Sequence, residues 1–399
     1  MKIGIIQERK TPPDYRVPLV PTHCAELKKL HPEIEIVIEE SPKRSYTHAE
    51  YEAAGIPLVK DVSDCDVLLG VKEVPISHLM EGKTYFFFSH TIKKQPYNRD
   101  LLRAVLAKKI QLVDYEALTW TSGVRILGFG RYAGLVGAYN GLLTWGKKYN
   151  LFNLKPAHEC HDLKEMLEQL DKITLPKMKI IIAGNGRVAR GSMEILNHMG
   201  IKEVTPDQFL ANSYEEAVFT QTDSNDYYAR IDGVPFQRDH FYKHPEMYKS
   251  IFAPYTKVAD LMINAIYWHS RIPRFFTLED MKAPDFNIQA IADITCDIDG
   301  SIPSTIKATT IANPVYGWDA QNKKEVAPFG ENTIDMMTID NLPCELPRDA
   351  SYEFSENMLK YVLPHLLAGS NDDVIERASL TTKNGELTER FKYLTDYVS

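Results

Sequence analysis

The first 120 residues alternate between short apolar runs and longer amphipathic stretches. The amphipathic stretches at 22–30 and 46–54 predict helices. The apolar runs predict strands at 2–7, 34–39, 66–71, 83–89 and 110–114. Because strands that alternate with helices are typical of parallel βαβ units, the chain is predicted to begin with an α/β domain.

The pattern changes after residue 129 and then repeats. An apolar stretch at 129–148 carries glycines at 130, 134, 137 and 141, which predicts a long helix that packs closely on a neighbour and bridges two domains. Further strands are predicted at 178–183, 258–267 and 288–294, and the last 45 residues are predicted to be helical and to pack on the first domain. We therefore predict an α/β fold of two domains with parallel sheets, one comprising 1–141 plus 342–399 and the other 142–341.

Composition narrows the class of protein. The chain has 399 residues, 44% of them hydrophobic, which suffices for two domains with their own cores. A net charge of -8 argues against a nucleic-acid partner, and the lack of a long apolar run argues against a membrane partner. Five scattered cysteines and an N-terminus without a signal-peptide pattern indicate a cytoplasmic protein.

Ionisable residues follow several of the predicted strands. The apolar run Tyr85-Phe86-Phe87-Phe88, for example, ends in Ser89-His90. Ligands of parallel sheets bind at the carboxyl ends of the strands, so neighbouring strands would gather these side chains in one cleft. The candidate residues are Lys10, Arg16, Lys72, Glu73, His90 and Glu116. A polar residue after one strand is more often a solvated loop residue or a helix cap, and it is their repetition that favours a site.

A glycine-rich turn follows the predicted strand at 178–183, in the stretch KIIIAGNGRVARG. Gly184 allows the tight turn, Gly186 lets the backbone approach a pyrophosphate, and Ala189 lets helix and strand pack closely. Asp207, 21 residues after Gly186, stands where an acid is expected to bind the ribose hydroxyls. Arg187 and Arg190 could assist phosphate binding. The alternative is a tight turn without a ligand.

The cluster His158-Glu159-Cys160-His161 superficially resembles a metal site. Adjacent residues do not converge easily on one ion, and the spacing fits no usual zinc pattern. Asp162, with Glu165 three residues later, is instead predicted to cap a helix at 162–171. We therefore predict no metal.

Several stretches resemble the alanine dehydrogenase and transhydrogenase superfamily. The segment ERKTPPDYRVPLVP is similar to the N-terminus of that superfamily. Within it, the chain resembles lysine-forming saccharopine dehydrogenase and the lysine–ketoglutarate reductase half of the bifunctional lysine-degrading enzyme. The stretches that carry this resemblance are GVKEVP (70–75), KTYFFFSHTIK (83–93), LVDYEAL (112–118), GVRILGFGRYAGLVGA (123–138), APYTKVADLMINAIYW (253–268), IADITCDIDGSI (291–302) and IDNLPCELPRDAS (339–351).

The resemblance implies two Rossmann-like domains with parallel sheets and the active site in the interdomain cleft. Residues 1–141 plus 342–399 are then expected to form the substrate domain, and 142–341 the dinucleotide-binding domain.

The resemblance also implies a role for each candidate residue. Lys72 and His90 match the catalytic lysine and histidine, and Arg16 and Arg125 match arginines that hold substrate carboxylates. Glu73 and Glu116 match carboxylates near the lysine moiety of saccharopine, and Lys10 is placed with the substrate-binding residues. The implied cofactor-binding residues are Gly184, Gly186, Arg187, Val188, Asp207, Tyr267 and Asp340. The implied substrates are saccharopine, L-lysine and 2-oxoglutarate.

The resemblance leaves the coenzyme and the reaction open. The segment 214–253 is more like the reductase half, which prefers NADP, whereas GVKEVP and Asp207 resemble the NAD-dependent form. We expect NAD, with NADP as the alternative. Alanine dehydrogenase, which acts on pyruvate and ammonia, is the rival enzyme, and a non-catalytic dinucleotide-binding sensor is the rival from another class.

Overall fold

The computed structural model of the chain describes residues 1–367 and 373–399. These residues form two compact units. Unit 1 comprises Met1–Phe129 and Pro347–Ser399, and unit 2 comprises Gly130–Leu346. The boundaries predicted from the sequence, at 141 and 341, differ because the long helix that begins at Gly130 belongs to unit 2 over its whole length.

The N-terminal part of unit 1 alternates strands and helices, as its pattern predicts. Its described strands are β1 Lys2–Ile5, β2 Glu35–Glu39, β3 Leu58–Val59, β4 Val67–Leu69, β5 Thr84–Phe87 and β6 Gln111–Asp114. Its helices are α1 Pro21–Leu30, α2 His48–Ala53 and α3 Arg99–Ala107. The strands form one parallel sheet in the order β3-β2-β1-β4-β5-β6. Because both faces of a parallel sheet are covered, its strands are almost wholly buried, which explains the continuous apolar runs.

Unit 2 opens with the glycine-rich helix and continues with a second α/β series. Its helices are α4 Gly130–Lys148, α5 Leu163–Leu170, α6 Arg187–His198, α7 Pro206–Ala211, α8 Ser224–Tyr227, α9 Arg238–Lys243 and α10 Ala253–Thr256. Its described strands are β7 Lys179–Ala183, β8 Lys202–Glu203, β9 Val218–Thr222, β10 Tyr228–Arg230, β11 Tyr248–Ser250, β12 Leu261–Asn264, β13 Ala290–Asp293, β14 Val315–Asp319, β15 Lys324–Val326 and β16 Ile334–Met337. Asp162 accepts a hydrogen bond from the Glu165 amide at 2.9 Å and caps α5, which confirms that prediction.

The second sheet is mixed rather than purely parallel. In the described chain its order is β15-β14-β16-β13-β12-β7-β9-β8, and the run from β16 to β8 is parallel. The pair β14-β15 is antiparallel and adds a hairpin at one edge, which the sequence analysis missed. A separate antiparallel pair, β10-β11, lies in the segment 214–253. The structure confirms the α/β class and adds this antiparallel edge.

The glycines of α4 serve a close helix–helix contact. A Cβ atom at Gly134 would overlap the Val188 carbonyl of α6, and one at Gly191 of α6 would overlap the Arg131 carbonyl. Each glycine inside a helix costs about 1 kcal/mol relative to alanine. Only glycine lets the two backbones approach so closely. The contact thus packs α4 against α6, the helix that begins at the glycine turn.

The C-terminal segment packs within unit 1. Its helices are α11 Pro347–Tyr361, α12 Leu363–Leu367, α13 Val374–Ala378 and α14 Thr395–Val398. The Val17 amide donates to Ser351 Oγ at 2.9 Å, and the Leu380 amide donates to the Leu112 carbonyl at 2.7 Å. The segment is not wholly helical, since Ser379 and Thr381 form isolated β-bridges. No helix of the described residues is long and apolar enough to cross a membrane.

Candidate active site

The carboxyl edge of the first sheet gathers the residues that the sequence analysis singled out. Strands β1, β4, β5 and β6 are consecutive neighbours in the sheet, as predicted. Lys72 and Glu73 follow β4, His90 follows β5 and Glu116 follows β6. The loop after β1 carries Lys10 and Arg16. All of these positions lie at one edge of unit 1.

Glu73 joins Lys10 to His90. One oxygen of its buried carboxylate accepts from Lys10 Nζ at 2.8 Å, and the other lies 2.6 Å from His90 Nδ1 and 3.2 Å from Asn98 Nδ2. Burial raises the pKa of Glu73, but the hydrogen bond and charge of His90, together with Lys10, outweigh it and hold the pKa well below its usual range. An ionised carboxylate can only accept, so Nδ1 of His90 carries a proton. Nε2 is then the ring nitrogen that can accept a proton from a ligand.

His90 is held at the strand end by its backbone. Its φ of 50° lies in the left-handed region, which a residue other than glycine adopts at a cost. The preceding Ser89 is fixed because its amide donates to Asp114 at 3.2 Å and its carbonyl accepts from Asn98 at 2.9 Å. The His90 ring stacks on Phe88, with centroids 6.2 Å apart. The contacts of Ser89 and Phe88 thus fix the position of His90 at the end of the apolar strand.

Lys72 has an environment that favours the neutral amine. Burial lowers its pKa, and the nearby charges of Arg16 and Lys10 lower it further, while Asp14 and Glu73 act in the opposite direction. Its backbone amide donates to Glu8 at 2.9 Å, beside the Val71 amide at 2.6 Å. No hydrogen bond or ion pair joins its Nζ to the residues that the structure describes. The amine is therefore able to exchange a proton with a ligand.

The two predicted carboxylate-binding arginines each contact an acid of the chain. Arg16 is 3% exposed and forms a bidentate pair with Asp14, at 3.0 Å and 2.6 Å, with its guanidinium 4.1 Å from the Phe129 ring centroid. Arg125, which is half exposed, donates to Glu116 at 2.9 Å. The direct contact of either arginine with a substrate stays a prediction.

Four functional residues were missed by the sequence analysis. Glu8 fixes the 71–72 backbone, Asp14 pairs with Arg16, and Asn98 and Asp114 anchor the His90 turn. Burial raises the pKa of Glu8 to about 7 and that of Asp114 to about 6. Glu8 and Asp14 lie in the same segment as Lys10 and Arg16. The alternation of opposite charges in that segment could have predicted that the two acids belong to the same arrangement.

The carboxyl edge of the second sheet carries the glycine turn. Gly184 has a φ of 118°, and a Cβ atom there would lie 2.6 Å from the Ala265 carbonyl. Gly186 is the N-cap of α6, and a Cβ atom there would meet nothing within 4 Å. The turn therefore leaves open space above the first amides of a 12-residue helix, an arrangement that suits a pyrophosphate.

The remaining predicted cofactor residues are spread along this edge. Arg187 and Val188 form the first turn of α6, Tyr267 follows β12 and Asp340 follows β16. Asp207 lies in the first turn of α7, after the edge strand β8. Their contacts with a dinucleotide stay predictions.

The cluster at 158–161 has contacts inside unit 2. His158 Nδ1 lies 3.6 Å from Glu345, whose hydrogen bond raises the pKa of His158. The Cys160 thiol contacts the Pro156 carbonyl at 3.6 Å. Among the described residues, no three histidine, cysteine or acidic side chains are placed to hold a metal ion.

Comparison with known proteins agrees with this arrangement. Residues 4–136 match the sequence profile of the alanine dehydrogenase/PNT N-terminal domain. L-alanine dehydrogenase has a similar fold, with a TM-score of 0.67 over 100% of both chains and 15% sequence identity. Transhydrogenase from Sinorhizobium meliloti is similar with a TM-score of 0.59, covering 97% of this chain and 100% of that one at 15% identity. The fold is therefore that of two-domain alanine dehydrogenases and transhydrogenases.

Sequence relatives are more specific. The chain is 31% identical to mitochondrial alpha-aminoadipic semialdehyde synthase of Mus musculus, over 95% of this chain and 46% of that protein. It is 26% identical to the NAD-dependent, L-lysine-forming saccharopine dehydrogenase of Neurospora crassa, over 88% of this chain and 87% of that enzyme. The chain thus spans less than half the length of the semialdehyde synthases that it matches. It carries an alanine dehydrogenase/PNT N-terminal domain and is homologous to both groups of enzymes.

Proposed function

We propose that the protein is a lysine-forming saccharopine dehydrogenase. It interconverts saccharopine, NAD⁺ and water with L-lysine, 2-oxoglutarate and NADH. The observation that carries this proposal is the meeting of Lys72, with its lowered pKa, and the Glu73–His90 pair at the ends of adjoining strands. Homology to lysine-forming saccharopine dehydrogenase supports it.

The reaction needs proton transfer at several steps, and two groups of different basicity suit it. Oxidation at the carbon that bears the secondary amine gives an imine, water adds to it, and the carbinolamine collapses to lysine and 2-oxoglutarate. A neutral Lys72 removes the proton from the secondary amine as the imine forms. His90, with Nε2 as acceptor, activates the water and returns a proton to the departing amine. Each positioned acid or base contributes roughly 10²–10⁴ in rate.

The charged side chains at the carboxyl edge of the first sheet suit a substrate that carries several carboxylates and one α-ammonium group. Saccharopine has three carboxylates, and this edge offers three cations for them: Lys10 contacts Glu73, Arg16 lies near Lys72, and Arg125 contacts Glu116. Glu116 offers a carboxylate for the α-ammonium group of the lysine moiety. In this proposal a substrate carboxylate competes with Glu116 for Arg125, which its exposure permits.

A nicotinamide dinucleotide is the cofactor that we propose. The open space at Gly186, the left-handed turn at Gly184 and the N-terminal end of α6 fit its pyrophosphate. When bound, the nicotinamide accepts or gives the hydride. Unit 2 supplies binding and orientation, and the residues of unit 1 move the protons.

The test is an assay of NADH and NADPH oxidation by the purified chain. We expect oxidation that requires lysine and 2-oxoglutarate together, with neither alone sufficient. More efficient oxidation with pyruvate and ammonia would replace this proposal with alanine dehydrogenase. Dinucleotide binding without turnover of either substrate pair would favour a sensor.

A further inference from the structure

The order of strands in the second sheet determines which acidic residue lies beside the glycine turn. Strand β7 is flanked by β12 and β9, and β8 lies outside β9 at the sheet edge. In the β7-β9 register Ala183 pairs with Thr222, and the Gly184 amide donates to the Thr222 carbonyl at 3.0 Å. The next residue after Thr222 is Asp223, which therefore lies level with the glycine turn.

Asp223 contacts the turn itself. Its Oδ2 accepts from Asn185 Nδ2, the middle residue of the turn, at 2.8 Å. The same oxygen forms an ion pair with Arg238 of α9. Its side chain is 22% exposed, so it is accessible to a ligand while its position is fixed from two sides.

Asp207, in contrast, is separated from β7 by a strand. It follows β8, is exposed, and is the acid of the first turn of α7. The acid that binds the ribose of a dinucleotide must reach the sugar next to a pyrophosphate that rests on the glycine turn. The strand directly beside β7 ends closer to that place than a strand one position further out.

We propose that Asp223, rather than Asp207, accepts hydrogen bonds from the ribose hydroxyls of the adenosine and selects NAD(H) over NADP(H). This inference rests on the proposed function, since it presumes a nicotinamide dinucleotide at the turn. A 2′-phosphate would meet the like charge of Asp223, which disfavours NADP(H). Arg238 holds the Asp223 carboxylate in place through their ion pair, and becomes a phosphate partner once the acid is removed.

Dissociation constants of NADH and NADPH, measured by nucleotide fluorescence without substrate, test the proposal. The variant Asp223→Ser keeps a side chain that can cap α8. We expect its NADH affinity to fall about 10-fold to 100-fold, the worth of a hydrogen bond to a charged group, and its NADPH affinity to rise. Adding Arg238→Ala should abolish the rise. Asp207→Asn is the rival variant, and we expect it to leave the ratio of the two constants within about two-fold of wild type.

The outcomes separate the two hypotheses. If Asp207→Asn changes the ratio and Asp223→Ser does not, Asp207 is the ribose acid and the proposal is overturned. If the ratio shifts in Asp223→Ser but equally in the double variant, the role of Arg238 is overturned alone. If the wild-type chain binds neither nucleotide, the proposed function itself fails. Retained NADPH binding shows that a variant is folded, and Asp223→Asn, which conserves shape, replaces any variant that is not.

Discussion

The two parallel sheets present very different chemistry at their carboxyl edges. In unit 1 the edge carries charged side chains: Glu73 pairs with Lys10 and His90, and Lys72 lies among charged neighbours. In unit 2 the centre of the edge consists of backbone, namely Gly184, Gly186 and the first amides of α6. In the function that we propose, the first edge transfers protons and the second binds the dinucleotide. The comparison teaches that the fold supplies the position, and the residues after each strand supply the chemistry.

The largest effect that would separate the two edges is a loss of turnover without a loss of binding. In Lys72→Met and His90→Gln we expect turnover to fall roughly 10²–10⁴, because each removes one positioned acid or base. Dinucleotide affinity should change by less than about two-fold, since neither residue belongs to unit 2. Turnover per folded enzyme and nucleotide titration measure the two quantities, and one limb of the pH profile should vanish in each variant.

The exposed His78 of the same unit provides the matched control. His78→Gln should leave the turnover and its pH profile as in the wild type, because the His78 side chain hydrogen-bonds to Ser77 and not to a residue of the proposed site. Normal turnover in His90→Gln, with an unchanged profile, would mean that β5 ends in a histidine for structural reasons alone.

A second pair of variants compares two glycines of unit 2, one in the contact between α4 and α6 and one in the turn before α6. In Gly134→Ala the new Cβ overlaps the Val188 carbonyl of α6, so we expect a loss of about 2 kcal/mol in the free energy of unfolding. In Gly186→Ala the Cβ meets open space, so stability should change by less than about 0.5 kcal/mol. Dinucleotide affinity should nevertheless fall, by roughly 10-fold, because the methyl group occupies the place of the pyrophosphate.

Urea denaturation and nucleotide titration of both glycine variants measure these changes. Equal stability of Gly134→Ala and wild type would show that α4 and α6 can separate without cost. Unchanged nucleotide affinity in Gly186→Ala would remove the turn from the binding site.

The smallest expected effect concerns a feature that the two edges share. Asp114 at the end of β6 and Asp293 at the end of β13 are both wholly buried, and burial raises the pKa of each to about 6. Between about pH 4 and pH 6 the unfolded chain releases these protons while the folded chain keeps them. The contribution of these two groups to stability is therefore lost as the pH rises through this window and is constant above it. Asp114→Asn and Asp293→Asn should each remove about 1–3 kcal/mol of that fall.

Thermal unfolding at a series of pH values measures the slope in each variant. Asp100→Asn, at an exposed position of α3, controls for the loss of one carboxylate. A wild-type slope in both buried variants would show that other carboxylates determine the pH dependence in this window.

The sequence predicted most strands of the first sheet, because buried parallel strands are continuous apolar runs between turn residues. In the second sheet it predicted β7, β12 and β13 but not β9, β14, β15 or β16. It also predicted the polar strand ends, since adjacency in the sequence implied adjacency in the first sheet. Some strands are shorter than predicted, such as β12, which covers Leu261–Asn264 instead of 258–267. The residues before it form α10, a single turn that begins with Ala253-Pro254 and has no periodic pattern of its own.

Two features could not be predicted from the sequence. The order β7-β9-β8 departs from the usual Rossmann order, so spacing alone directed attention to Asp207 and could not show that Asp223 contacts the glycine turn. The partners of Arg16 and Arg125 were also out of reach, because an ion pair is a property of the folded chain. The turn residues DAQNKK could have predicted the hairpin β14-β15, but only parallel strands were expected in this part of the chain.

Unit 1 is discontinuous, and this has a consequence for synthesis. The Leu380 amide, which bonds to Leu112 on β6, is translated 268 residues after its partner, and Ser351 is translated 334 residues after Val17. On the ribosome, all the strands of unit 2 have emerged before the C-terminal helices, which complete the core around the first sheet, exist. Until those helices emerge, the apolar residues that they contact in the nascent first domain stay uncovered, and uncovered apolar surface makes a folding chain prone to aggregation.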